Sequence, residues 1–157
     1  PITARCAGNT LSDTRTAEND GSGQMIQRLL TEAGHEIAHY QIMKDDPAEL
    51  APLLGELLND AKIDAILTNG GTGIARRDQT ISVIERCIDQ PLPGFGELFR
   101  MLSWEQIGAG AMLSSAAGGI ARGKPLFAMP GSSKGVELAR RGLLRPEMGH
   151  LVSGLRK

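Results

Sequence analysis

The sequence predicts a three-layer α/β domain, a doubly wound and mostly parallel sheet with helices on both faces. Short apolar runs suited to buried strands alternate with segments whose apolar residues recur at helical spacing. The connections between them are short, with no linker and no internal repeat. The 157 residues fit a single domain over 1–157, since one domain typically takes about 100–150 residues.

Residues 2–11 read as the first strand, although Gly8-Asn9 is a poor strand dipeptide. Ser12-Asp13-Thr14-Arg15-Thr16 follows as a polar loop, and residues 20–22 offer N-caps. Met25, Ile26, Leu29, Leu30 and Ala33 then repeat as one helical face, which Gly34 ends. Residues 36–43 alternate as a second strand through Ile37, Tyr40 and Ile42, with His39 outward. Asp46-Pro47-Ala48-Glu49 is a helix start: Asp46 caps, Pro47 suits the first helical position, and Glu49 completes a capping box. Leu50, Leu53, Leu54, Leu57 and Leu58 form its apolar face, with Pro52 removing a backbone bond one turn in. Residues 63–68 suit a buried strand, 69–78 a glycine-rich loop and 81–88 a short helix. After Pro91-Leu92-Pro93-Gly94, residues 95–102 form a helix that turns Phe95, Leu98, Phe99 and Leu102 inward. Residues 109–120, rich in Ala, Gly and Ser, show no periodicity. Residues 125–129 make another buried strand, ended by Pro130-Gly131-Ser132, and helices over 133–144 and beyond Pro146 close the chain.

Composition excludes several classes of function. Seventeen Lys and Arg against 18 Asp and Glu leave a formal charge of -1, without the basic excess that nucleic-acid or membrane-surface binding needs. Aromatic residues, at 3%, are too few for a base-stacking platform. No apolar stretch approaches the roughly 20 residues of a membrane span, and no signal-peptide pattern is present. Cys6 and Cys87 lie far apart without zinc spacing, which fits a cytoplasmic setting better than a disulfide scaffold. Twenty glycines are about twice the average usage of roughly 7%, and they cluster. Clustered glycine marks positive-φ turns or close approach of backbone to a ligand.

In a doubly wound sheet, ligands bind beyond the carboxyl ends of the strands. Three predicted loops fall there: 12–16, 69–78 and 130–133. Gly70-Gly71-Thr72-Gly73 runs out of an apolar strand toward Arg76, Arg77 and Asp78. Such glycines either form a backbone anion nest or simply make a tight turn. The spacing is neither that of a P-loop nor of a dinucleotide fingerprint. Asp78 by residue type is an N-cap for a helix from about Thr80, whereas Asp45, beside the capping Asp46, has no obvious structural task. Carboxylates at two strand ends can share Mg²⁺, which favours oxygen ligands and substrate phosphates. Gly131-Ser132-Ser133 is a second phosphate seat or an ordinary cap. Glu97 is a lone acid at a helix start, and His35, His39 and His150 receive no role. Cys6 and Cys87 read as small buried apolar residues.

Together these residues resemble the MoaB/MogA family of molybdenum cofactor biosynthesis proteins. The likeness rests on Gly70-Gly71-Thr72-Gly73 with Asp78, on Ser12-Asp13-Thr14-Arg15-Thr16, and on Pro93-Gly94-Phe95-Gly96-Glu97-Leu98-Phe99-Arg100. Ala111-Met112-Leu113-Ser114 and Pro130-Gly131-Ser132 follow in the family's order, and the later segments look closer to MoaB. Asn69 stands where members often carry Thr or Ser. The resemblance implies a trimer or a hexamer built as a pair of trimers. It implies binding of molybdopterin and transfer of AMP from Mg-ATP to its terminal phosphate. On that pattern Asp45 and Asp78 are the catalytic, Mg²⁺-holding pair, and Gly70, Gly71, Thr72 and Gly73 cradle phosphate. Ser12, Gly94, Glu97, Gly131 and Ser132 are then expected to line the same pocket. A paralogue that binds molybdopterin with little or no turnover is the alternative.

Overall fold

A computed structural model describes residues 3–14, 16–70, 74–107, 116–129 and 154–155, with only the backbone described at 74–78, 102, 103, 106 and 107. The elements are β1 (Arg5–Leu11), α1 (Gly21–Glu32), β2 (Glu36–Met43), α2 (Pro47–Asn59), β3 (Ala65–Gly70), α3 (Ile74–Cys87), β4 (Gln90–Pro91), α4 (Pro93–Ile107), β5 (Ala117–Ala121) and β6 (Lys124–Met129). The six strands form one sheet in the order β2-β1-β3-β6-β5-β4. β1 pairs parallel with β2 and β3, and β3 parallel with β6. β5 runs antiparallel to both β6 and β4. The sheet is therefore mostly parallel, as expected.

The three layers follow from alternation along the strands. Cys6, Ala65, Leu67, Phe127 and Met129 pack with Ile26 and Leu30 of α1 and with Phe95 and Phe99 of α4. Their neighbours Ala7, Leu11, Ile66, Leu126 and Ala128 face the other way, onto Leu50, Leu54, Leu57 and Leu58 of α2 and Val83 and Ile84 of α3. Asp20 caps α1 by accepting from the Gly23 N–H at 3.0 Å, and Asp46 caps α2 by accepting from the Ala48 N–H at 2.9 Å. Among the described residues no helix is long and apolar enough to cross a membrane.

At the amino ends of the strands, ionic and polar bonds fasten loops to the sheet. Arg5 pairs with Asp64 at 3.0 Å, and the Lys124 ammonium donates to the Leu57 and Asp60 carbonyls. Among the described residues, two polar side chains inside the sheet have no such bonding. Asn9 and Thr68 are register partners on β1 and β3, both fully buried on the face toward α2 and α3. Neither atom of the Asn9 amide has a hydrogen-bond partner, nor has the Thr68 hydroxyl.

Several expectations are corrected. β3 lies two residues later than predicted, because Ile63 is held in a turn by its N–H bond to the Asp60 carbonyl at 3.0 Å. Asn69 and Gly70 consequently belong to the strand, paired with Thr10 and Leu11. α3 starts at Ile74, not near residue 80, so Asp78 lies inside a helix and is not its cap. Glu49 does not close a capping box on Asp46, whose N–H is taken by the Lys44 carbonyl at 2.9 Å. α4 spans Pro93–Ile107, and Leu98 is 44% exposed where an inward position was expected. The seam that packs is Phe95 and Phe99, one turn apart. β4 and β5 were not predicted: β4 tolerates Pro91 as an edge strand, and β5 is glycine-rich because the Phe127 ring packs against it. The predicted helix over 133–144 lies outside the described residues, and of the one after Pro146 only Gly154 and Leu155 are described, both helical.

Candidate functional site

The rim of the sheet at the carboxyl ends of β1, β2 and β3 brings together residues from the loops after β1 and β2 and from helix α3. Ser12, just beyond β1, donates its N–H to the Met43 carbonyl at 2.8 Å, and its hydroxyl accepts from the Thr14 N–H at 3.2 Å. This turn sets Asp13 beside the end of β2, where Asp13 Oδ1 accepts from the Asp45 N–H at 3.2 Å. Asp45 itself is buried, 8% exposed. Its Oδ1 accepts from the Thr80 hydroxyl of α3 at 2.7 Å. Asp13, Lys44, Asp45, Asp46, Pro47 and Gln79 line a cavity of about 490 Å³.

Three carboxylates and one ammonium give this cavity a negative balance suited to a cation. Among the described residues, no group of three or more His, Cys, Asp or Glu is arranged to enclose a metal. That donor set fits Mg²⁺, which takes one or two protein carboxylates and completes its shell with water and substrate phosphates. It does not fit a structural zinc.

Gly70 closes β3 with φ of 114°, and a Cβ there would collide with the Leu11 carbonyl. Only glycine lets the strand turn sharply against β1 at this point. Gly71, Thr72 and Gly73 follow immediately, outside the described residues, as do Gly131 and Ser132. Asp78 is placed by its backbone in the second turn of α3, on the helix that delivers Thr80 to Asp45. Gly94 and Glu97 lie in the first turns of α4. Glu97 borders a second cavity, about 320 Å³, with Pro91, Leu92, Pro93, Gly96 and Arg100 among its walls. Among the described residues the two cavities share no lining residue. Between them runs a third, about 570 Å³, along Pro47, Gln79, Ser82, Glu85 and Arg86, which has walls in common with each.

Sequence reasoning assigned no individual role to Asp13 or Thr80. The signal for Thr80 was its spacing: it falls four residues before Ile84 on the buried side of α3, where a hydroxyl needs a partner. On the other face of the sheet, the Thr10 hydroxyl lies 2.7 Å from both Asp20 Oδ2 and the Tyr40 hydroxyl, and 3.1 Å from Asn69 Oδ1. This buried cluster ties the start of α1 to the strands beneath the rim.

Two titratable groups away from the rim, Cys6 and His35, behave structurally. Burial, with a smaller contribution from the Asp64 charge, pushes the Cys6 thiol up to about 12, so it is not a nucleophile. Burial also lowers the His35 imidazole below its ordinary value, and its Nδ1 accepts from the Ala4 N–H at 3.0 Å.

Residues 6–150 match the family described as "Probable molybdopterin binding domain". The chain is 47% identical to molybdenum cofactor biosynthesis protein B of Bacillus cereus, over 100% of this chain and 94% of that protein. It is also 47% identical to the protein of the same name from Bacillus subtilis, over 100% of this chain and 93% of that one. A crystal structure of molybdenum cofactor biosynthesis protein B superposes with a TM-score of 0.94 at 46% identity, covering 99% of this chain and 98% of the other. The tungsten cofactor synthesizing protein MoaB of Pyrococcus furiosus superposes with a TM-score of 0.87 at 34% identity, covering 100% and 99%. With the sheet, the rim and the buried carboxylate in place, the chain belongs to the MoaB/MogA family of molybdenum cofactor biosynthesis proteins, which carry the molybdopterin-binding domain.

Proposed function

We propose that this protein acts in molybdenum cofactor biosynthesis as a molybdopterin adenylyltransferase. An oxygen of the pterin's terminal phosphate attacks the α-phosphorus of ATP, the bond from that phosphorus to the α,β-bridging oxygen breaks, and pyrophosphate leaves. The observation that carries this reading is the buried Asp45 carboxylate, fixed at the rim and opening onto a cavity shared with Asp13.

Attack of one phosphate on another is opposed by like-charge repulsion, so the protein's work is to position the reactants and neutralise charge. No protein nucleophile is needed, in keeping with the inert Cys6. Mg²⁺, when bound, supplies positive charge to the phosphates. Asp45, with Asp78 as its expected partner, would hold it, and backbone N–H groups of Gly70 to Gly73 would receive phosphate oxygens. Ser12 lies at the same rim, and Gly131 and Ser132 are expected to line the pocket with it. The three cavities, neighbours through shared wall residues along α3, give two substrates room to approach, with Glu97 lining the far one.

We also read the protein as a homotrimer or a hexamer. Leu98, Met101 and Trp104, on α4, are 44, 55 and 58% exposed, the kind of apolar stripe that a second copy covers.

The test is adenylate formation by the purified protein with Mg-ATP and molybdopterin, followed by chromatography. Adenylylated molybdopterin is expected. Asp45→Asn and Asp78→Asn should remove the product while circular dichroism is unchanged. Pterin binding without product would instead make the protein a non-catalytic paralogue.

A further inference from the structure

Asp45 and Thr80 lie 35 residues apart in sequence, yet the Thr80 hydroxyl donates to Asp45 Oδ1 at 2.7 Å with both residues buried. The Thr80 side chain emerges on the same side of α3 as Val83 and Ile84, which pack into the apolar core against the sheet. A hydroxyl there is costly unless bonded, so the bond to Asp45 is a fixed part of the interior. The Asp45 backbone is held separately, by its N–H bond to Asp13. The carboxylate is thereby held from strand and helix at once, with Oδ1 occupied and Oδ2 left for a ligand in the cavity that Asp45 lines.

We infer that Thr80 is a positioning residue for the site: it holds Asp45 Oδ1 so that Oδ2 is presented to a divalent cation accompanying a phosphate substrate. A neutral donor suits this task. It orients the carboxylate without cancelling its charge, as a lysine or arginine would. The same bond draws the backbone of α3, which carries Asp78 two residues earlier, against the end of β2. The inference rests on the reading of the rim as a cation-dependent phosphoryl-transfer site.

The test uses the purified full chain and Mn²⁺ alone, with free Mn²⁺ counted by electron paramagnetic resonance. The unsubstituted chain should bind Mn²⁺ saturably and Asp45→Asn should lose it. Thr80→Val should weaken binding by about 10–100-fold, the usual consequence of removing the bond that orients a metal ligand. Thr80→Ser, which keeps the hydroxyl, should bind as the unsubstituted chain does. Thr80→Ala serves as the second deletion should the valine variant fail to fold, with thermal melting as the check. Loss in Asp45→Asn but undiminished binding in Thr80→Val or Thr80→Ala overturns the positioning role alone. Equal weakening in Thr80→Ser also overturns it, because packing would then be the cause. Absence of saturable binding by the unsubstituted chain overturns the cation reading of the site, and the inference with it.

Discussion

Replacing Thr68 by valine should stabilise this protein. Thr68 sits on the central strand β3, fully buried, with no partner for its hydroxyl. Its register partner Asn9 is equally buried and equally unpartnered, so the two do not satisfy one another. A hydroxyl buried without a hydrogen bond costs about 1–3 kcal/mol by protein substitution data. Valine has nearly the same shape and puts a methyl group where the oxygen stood, so the penalty is removed without a cavity. The expected gain is about 1–2 kcal/mol, which for a domain of this size raises Tm by about 2–8 °C. Calorimetry at one fixed protomer concentration measures it, and urea unfolding with an unchanged m-value confirms that the denatured state is the same. A fall in Tm refutes the reasoning. It would mean that an ordered water or another group joins Thr68 to Asn9, and that the polar pair is a satisfied element of the sheet.

Gly70→Ala should destabilise by about 2 kcal/mol or more, since the residue has φ of 114° and its Cβ would strike the Leu11 carbonyl; urea unfolding reads the loss. His35 is held below its ordinary value near 6.5, so the fold favours its neutral form. Its contribution is fully present above that ordinary value and is lost as pH falls through the lowered one. His35→Asn keeps an acceptor for the Ala4 N–H without titrating, and should flatten the decline of Tm between about pH 7 and 5. Trp104→Glu or Leu98→Glu should lower the mass measured by light scattering, if α4 forms the contact between copies; an unchanged mass would remove that helix from the interface.

The first half of the fold was legible because local chemistry and global packing agree there. Asp20, Asp46 and Pro47 announce their helices, and the predicted second strand coincides with β2 at Glu36–Met43. The glycine-rich stretch misled because composition speaks for a loop, whereas the pairing of Asn69 and Gly70 with Thr10 and Leu11 keeps the backbone in the sheet. α3 opens with Ile74-Ala75-Arg76-Arg77-Asp78, which has no apolar periodicity to mark its start. β5 was hidden for a related reason: a Cβ at Gly118 would lie 2.7 Å from the Phe127 ring, so close packing selects glycine over the usual strand formers. At the site, Asp45 was legible as a carboxylate without a structural task. Its tie to Thr80 was not, because a contact across 35 residues leaves no mark on local spacing.

Among the described residues the sheet divides the interior into two cores with no buried residue in common. Mechanically the molecule is a laminate, in which each strand is the shared ply between two separately packed sheets of side chains. Trimming Leu54 on one side and Phe99 on the other disturbs different sets of neighbours, so their costs should sum. The backbone of the central strands is what one core can feel of the other. Sequence drift in the apolar packing beneath α1 and α4 can therefore proceed without repacking the side chains around Thr80 and Asp45.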